Sequence, residues 1–268
     1  MLGAMIGDIV GSPYEFDDTN IKTTDFEIFT ALSKPTDDTV MTAAVAQGII
    51  NGYGDSVKTQ HQVIASMQEL GRKFPDAGYG DFFKKWLCRE RPTPYNSFGN
   101  GSAMRISSVA WLYDTLEEVE YFAESATIVT HNHPEGVKGA KAVASAIFMA
   151  RKGYSKEEIK EYITKKYRYN LNMTCDEIRP DYKHIETCEE TVPQAFAAFL
   201  EGNDFEEVIR LAVSLGGDCD TLTAIAGSLA EGMYPIPDEI RDKAMSLLPA
   251  EIIDIYNKFN TFRAENNL

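Results

Sequence analysis

Five windows of this chain place apolar or small residues at i, i+3, i+4, i+7 and i+8, the spacing of one face of an α-helix. They are Met41/Ala44/Val45/Gly48/Ile49, Ala140/Val143/Ala144/Ile147/Phe148, Val192/Ala195/Phe196/Phe199/Leu200, Phe205/Val208/Ile209/Ala212/Val213 and Leu222/Ile225/Ala226/Leu229/Ala230. The stretches Val63 to Leu70 and Val119 to Ala126 fit the template less completely. No comparable set of alternating β-branched strands accompanies them, so the periodicity predicts an all-α fold. Small side chains crowd the helical faces: Ala43, Ala44 and Ala46 on one, Ala140, Ala142, Ala144 and Ala146 on another, Ala224, Ala226, Gly227 and Ala230 on a third. Such faces let helix axes approach closely in a bundle. Thr191 is the expected cap of the helix that follows it, Gly202 its left-handed terminator, and Gly232 with Pro235 the stop of the helix after Asp220. The region from Tyr162 to Glu190 fits no helical template and reads as an irregular excursion.

No Pro/Gly/Ser-rich linker, low-complexity run or fixed-period repeat divides the 268 residues, so a single domain over 1–268 is expected. A formal net charge of −15 argues against a protein that tracks a nucleic-acid backbone, because neutralising phosphates takes clustered Lys and Arg. An anionic substrate would then need metal cations or helix N-termini to receive it. Cys88, Cys175, Cys188 and Cys219 form no CxxC pair and no zinc-ligand spacing, which suggests reduced thiols. The start Met1-Leu2-Gly3-Ala4-Met5-Ile6-Gly7-Asp8 lacks the basic opening of a signal peptide, and no apolar run approaches the roughly 20 residues of a membrane span. The expectation is a cytoplasmic monomer.

Two segments interrupt the amphipathic rhythm with adjacent acids where a helix should begin: Pro35-Thr36-Asp37-Asp38-Thr39 and Gly216-Gly217-Asp218-Cys219-Asp220-Thr221. Asp and Thr are preferred helix caps, and acids suit the positive end of the helix dipole, so capping alone explains one acid at each place. Each site, however, carries two acids plus hydroxyls, and the second follows a Gly-Gly pair that allows close backbone approach. Four neighbouring carboxylates repel one another unless cations neutralise them. Hard oxygen donors without His or Cys in ligand spacing favour magnesium or manganese over zinc. Should the clusters meet, they would hold two ions roughly 3.5–4 Å apart.

Five segments in order resemble the ADP-ribosylglycohydrolase family, which includes dinitrogenase-reductase-activating glycohydrolases and ADP-ribosyl-acceptor hydrolases. Gly3-Ala4-Met5-Ile6-Gly7-Asp8-Ile9-Val10-Gly11-Ser12-Pro13-Tyr14-Glu15 resembles the opening helix and the glutamate after it. Thr36-Asp37-Asp38-Thr39 resembles the first metal motif and Gly217-Asp218-Cys219-Asp220-Thr221 the second. Ser97-Phe98-Gly99-Asn100-Gly101-Ser102-Ala103-Met104-Arg105 resembles the substrate loop, and Thr130-His131-Asn132-His133-Pro134 the histidine segment. The resemblance spans residues 3 to about 232 and implies a compact orthogonal multi-helix bundle. It departs at Ser102, where many relatives have glycine, and at Leu222, where a polar residue is frequent.

Carried over residue by residue, the resemblance implies that Thr36, Asp37, Asp38, Asp218, Asp220 and Thr221 ligate a dinuclear magnesium centre, with manganese as the alternative. It implies hydrolysis of the bond between ADP-ribose and an acceptor, carried by an ADP-ribosylated protein or a small-molecule conjugate. Glu15, Asp37 and Asp220 are the catalytic candidates, with Glu15 as proton acceptor or orienting base. Asn96, Ser97, Phe98, Gly99, Asn100, Gly101 and His131 are the substrate-binding candidates, the loop offering backbone N–H groups to a diphosphate. His133 reads as structural, and Arg105 as either an ion-pair partner or a phosphate ligand. The acceptor stays open among arginine, serine, a nucleic-acid base, O-acetyl-ADP-ribose and a free metabolite. Two other classes compete: a non-catalytic ADP-ribose-binding protein of the same fold, and a magnesium enzyme such as an isoprenoid synthase, whose Asp-x-x-x-Asp pattern is missing at both clusters.

Overall fold

A computed structural model describes residues Met1–Leu268 as fourteen α-helices with no β-strand. The first seven are α1 (Leu2–Gly11), α2 (Asp37–Gly52), α3 (Ser56–Lys73), α4 (Asp81–Leu87), α5 (Gly101–Met104), α6 (Leu116–Thr127) and α7 (Pro134–Arg151). The rest are α8 (Lys156–Tyr167), α9 (Cys175–Ile178), α10 (Cys188–Glu201), α11 (Phe205–Leu215), α12 (Cys219–Met233), α13 (Asp238–Leu247) and α14 (Ala250–Glu265). All seven windows of helical periodicity lie inside helices, because each buries its apolar stripe against neighbours.

Every residue of α1 is buried, and its closest partner is α12. Gly3, Gly7 and Gly11 fall on one face of α1, four residues apart. A Cβ on Gly7 would lie 2.1 Å from the Thr223 carbonyl oxygen, one on Gly3 2.2 Å from that of Gly227, and one on Gly11 2.6 Å from the Asp220 Cα. Gly227 is bare for the same reason, since its own Cβ would meet the Gly3 carbonyl oxygen at 2.3 Å. Only hydrogen side chains let these two backbones touch. The contact carries the end of α1 to the start of α12, where the second acid cluster stands.

Around this pair, α2 lies on α3, α6 on α7, and α7, α10 and α11 on α12, enclosing a single buried apolar cluster that contains Trp86, Phe196, Phe199, Phe205 and Phe259. Reciprocal capping boxes start α6 (Thr115/Glu118), α8 (Ser155/Glu158) and α9 (Thr174/Glu177). All four cysteines are unpaired. No helix is long and apolar enough to cross a membrane.

Three boundary expectations are corrected. The cap of α10 is Thr187, which accepts from the Glu190 N–H, and Thr191 lies one turn inside the helix. Pro193 is also inside α10; the N–H it lacks would have reached Glu189, an exposed residue. Gly202 ends α10 in an extended conformation (φ −65°, ψ 143°), not a left-handed one, and Lys156 Nζ donates to the carbonyls of Leu200 and Gly202. The excursion is shorter than expected, because α8 runs to Tyr167 and α9 adds one turn before α10 begins.

Replacing Gly7 with Ala should destabilise the protein by about 1–3 kcal/mol, the usual cost of overpacking, because a backbone atom has to yield. Gly80→Ala, where a Cβ meets nothing within 4 Å, is the matched control. Denaturant midpoints of the two variants check this: equal midpoints would mean that the α1–α12 contact has room to spare.

Candidate active site

The two acid clusters, 184 residues apart in the chain, meet in space: Thr36 Oγ1 lies 3.5 Å from Asp220 Oδ2. On the other side Thr221 Oγ1 donates to Asp38 Oδ1 at 3.3 Å. Both clusters are helix starts, as expected, but the acids are not the caps. Thr36 caps α2 by accepting from the Asp38 N–H, while Asp218, at the cap position of α12, makes no side-chain capping bond. The Gly-Gly turn before Asp218 has φ of +71° and +75°, which L side chains seldom adopt. Asn20 staples that turn, accepting from the Gly217 N–H at 2.6 Å and donating to the Gly217 and Tyr14 carbonyls.

An open cleft of about 260 Å³ runs over this junction, lined by Glu15, Asp37, Asp38, Asp218, Asp220 and Thr221. Ser97, Gly99, Asn100, Gly101 and His131 line it as well, whereas Thr36, Asn96 and Phe98 do not. Thr36 sits behind the wall, 4% exposed. Burial and then the charge of Asp8 push Asp37 up to about 8. Burial raises Asp38 and Asp220 well above the usual carboxylate range, with neighbouring acids adding to the effect, and Asp218 is raised too. Glu15 is half-buried, and desolvation followed by the charge of Asp218 lifts it to about 6. Asp38 Oδ2 is buried without any hydrogen-bond partner. No set of three His, Cys, Asp or Glu side chains is drawn tightly enough together to form a ligand cage. The donors instead ring a shared space, and a set of hard oxygens with an unpartnered buried carboxylate oxygen fits a hard divalent cation.

Asp8 has no role in the sequence reading and a central one here. It is fully buried and takes hydrogen bonds from the Thr36 N–H (2.9 Å), the Thr36 hydroxyl (2.7 Å), the Thr39 N–H (3.0 Å) and the Thr39 hydroxyl. Burial raises its pKa against the pull of these four donors. Through it α1 fixes the turn that presents Asp37 and Asp38.

Half of the N–H groups in the loop from Asn96 to Gly101 are committed to protein. Those at Asn96, Gly99 and Asn100 donate to Asn132 Oδ1, Ser97 Oγ and the Glu186 carbonyl, leaving those of Ser97, Phe98 and Gly101. The Asn100 amide is turned inward, donating to Asp218 Oδ2 at 2.6 Å and Thr191 Oγ1 at 3.0 Å, so it orients an acid of the second cluster. Arg105 makes no salt bridge. It is buried, lowered by desolvation to about 10, and donates to Thr130 Oγ1 at 2.7 Å with His131 Nδ1 at 3.3 Å. Because a guanidinium only donates, His131 Nδ1 is an acceptor and the ring is neutral with its proton on Nε2. Burial and Arg105 hold its pKa well below the ordinary value. That Nε2–H faces the loop, 3.5 Å from where a Cβ on Gly101 would stand. His133 caps α7, accepting from the Glu135 N–H, which bears out its structural reading.

Residues 1–260 match the family described as ADP-ribosylglycohydrolase. The chain belongs to the ADP-ribosylglycohydrolase family. Among curated relatives it is 27% identical to the ADP-ribosylhydrolase ARH3 of Homo sapiens, over 87% of this chain and 84% of that protein. It is 24% identical to the ADP-ribosylarginine hydrolase Tri1 of Pseudomonas putida (strain GB-1), over 88% of this chain and 70% of that protein. A solved structure named ADP-ribosylglycohydrolase-related protein complex superimposes with a TM-score of 0.67 at 22% identity, covering 96% of both chains, and supports the fold. Family membership and the all-α bundle agree with the expectations from sequence.

This ADP-ribosylglycohydrolase also lines its cleft with residues that sequence reasoning passed over, among them Tyr95, His184 and Glu186. The last two come from the segment between α9 and α10, which has no periodicity to mark it. Tyr95 precedes the loop and packs toward His131, with ring centroids 6.0 Å apart.

The raised acids set a pH dependence. In metal-free protein Asp37 binds its proton more tightly folded, at about 8, than at its ordinary 3.8. Its contribution to stability is complete below the ordinary value and is lost as pH rises through about 8. Between pH 5 and pH 8 the melting temperature of chelator-treated protein should fall, and millimolar magnesium should restore more of it at pH 8 than at pH 6. Calorimetry with and without chelator checks this; a melting temperature that climbs toward pH 8 and ignores magnesium would show the acids already compensated.

Proposed function

We propose that this family member hydrolyses the glycosidic bond between ADP-ribose and an acceptor, with two magnesium or manganese ions held by Thr36, Asp37, Asp38, Asp218, Asp220 and Thr221. The observation that carries this reading is the junction of the α2 and α12 starts on one cleft, with Asp38 Oδ2 left without a partner. When bound, divalent cations supply positive charge and Lewis acidity beside the ribose hydroxyls.

The protein's own groups do the rest. Bond cleavage at the anomeric carbon develops oxocarbenium character, and anionic walls suit the growing positive charge. Glu15, at about 6, is ionised at neutral pH yet basic enough to take a proton from the attacking water, which is the compromise a general base needs. The Ser97 and Gly101 N–H groups are the loop's contribution to a diphosphate, and the His131 Nε2–H is a neutral donor beside them. Asn100 keeps Asp218 turned into the cleft. The ADP-ribosylated partner is a protein side chain or a small-molecule conjugate.

Replacing Asp37 or Asp220 with Ala should abolish magnesium-dependent release of free ADP-ribose while the far-ultraviolet circular dichroism stays helical. The assay is a panel of defined ADP-ribosylated substrates with magnesium, with manganese and with chelator. Turnover that survives in both variants, or in chelator, would reject the metal reading; metal-dependent binding of ADP-ribose without turnover on any substrate would make the protein a binder.

Glu15→Gln should lower kcat by about 10²- to 10⁴-fold, the span of general-base contributions. In the unaltered enzyme kcat/KM should fall as pH drops through about 6, where Glu15 takes up its proton, and bound cations should move that midpoint lower. A flat profile down to pH 4.5 would remove Glu15 from the proton transfer.

A further inference from the structure

The Glu15 carboxylate has no hydrogen-bond partner of its own, so something else has to decide where it enters the cleft. The only polar group bonded to Glu15 is the ring of His184: Nδ1 lies 3.0 Å from the Glu15 carbonyl oxygen. Two further contacts hold the same turn. The His184 N–H donates to Asp17 Oδ1 at 2.8 Å, and the imidazole stacks on the Phe16 ring with centroids 5.6 Å apart and planes at 28°. The other ring nitrogen, Nε2, lies 3.1 Å from Glu186 Oε1.

A carbonyl oxygen and an ionised carboxylate only accept, so each ring nitrogen must carry a proton to satisfy its neighbour, and the imidazolium does so at both. Burial pulls the His184 pKa down, but the Glu186 hydrogen bond, the Asp218 charge and the Glu15 carbonyl outweigh it and raise the pKa above the ordinary value. The acids around the ring are Glu15 and Asp17 from the turn after α1, Asp218 from the start of α12, and Glu186 from its own segment, with Lys34 also acting on Glu15.

The segment that carries His184 is itself anchored. The carbonyls of Tyr182, Ile185 and Glu186 accept from Lys22 Nζ, Thr191 Oγ1 and the Asn100 N–H at 2.8, 3.1 and 2.9 Å. Lys22 also donates to the Leu215 carbonyl, just before the Gly-Gly turn. His184 therefore reaches Glu15 from a fixed platform tied to both the substrate loop and the second acid cluster.

We propose that His184, braced by Glu186, is the positioning residue of Glu15: its Nδ1–H holds the Glu15 carbonyl and its ring clamps Phe16, which together fix the direction of the Glu15 carboxylate. This rests on the reading of Glu15 as proton acceptor. A group that orients the base without touching the ribose contributes to kcat and leaves substrate affinity alone.

The test pairs two variants with two readouts. His184→Phe keeps a ring on Phe16 and removes both donors, whereas in His184→Asn the amide nitrogen takes the place of Nδ1. In metal-free protein, hydrogen exchange at the Phe16, Thr19 and Asn20 amides, which are bonded within this turn, should quicken by about tenfold in His184→Phe and return most of the way in His184→Asn, with α12 unchanged. On an ADP-ribosylated substrate with magnesium, kcat should fall by about tenfold in His184→Phe with KM within about twofold, and His184→Asn should recover it. Wild-type exchange and kcat in His184→Phe, or a His184→Asn variant no better than His184→Phe, would overturn the assignment. An unaltered protein that releases no ADP-ribose would instead count against the hydrolase reading, and the exchange measurement would still decide what His184 holds.

Discussion

Four buried carboxylates, those of Asp8, Asp38, Asp218 and Asp220, and the partly exposed one of Asp37 end in one junction between the starts of α2 and α12. In a low-dielectric interior such a group resists holding five negative charges, and the raised pKa values are the direct expression of that resistance. The rest of the structure contains the repulsion. The α1–α12 backbone contact holds the two ends together, Asp8 spends its charge on four donors from the first turn, and Asn100 and Asn20 hold the second. What remains uncompensated faces the cleft, where a cation or a developing positive charge is worth most.

Much of the bundle was legible because its helices are amphipathic and its apolar positions recur at helical spacing. The acid pairs stood out because charged residues interrupt that rhythm, and the order of five motifs separated them from ordinary caps. Other features left weaker traces. The Gly3, Gly7 and Gly11 stripe is visible as a four-residue repeat, but only the partner helix shows that a backbone presses on it. Asp8 was a readable signal, since it is a lone acid in an otherwise apolar helix, yet its four donors come from a turn 28 to 31 residues away.

The errors have local causes. Thr187 and Thr191 stand one helical turn apart, and both are residue types suited to cap α10, so residue type alone does not separate them. Gly202 suggested a left-handed end, but Lys156 satisfies the last carbonyls from outside, so the chain leaves extended. His184 and Glu186 carry no periodicity and no motif; their importance comes from where Lys22, Thr191 and Asn100 hold their segment, which is a property of the folded chain.

The buried helix α1 has a consequence for synthesis. During vectorial translation its ten residues, apolar or small apart from Asp8, leave the ribosome some two hundred residues before the groove that receives them, built on α12. Until then the nascent chain carries an unpartnered sticky helix, and neither acid cluster has its counterpart. Contacts of such long range slow folding. Acquisition of the site is therefore a late event, and a ribosome stalled before α12 holds a chain with half of its charge cluster and no cleft.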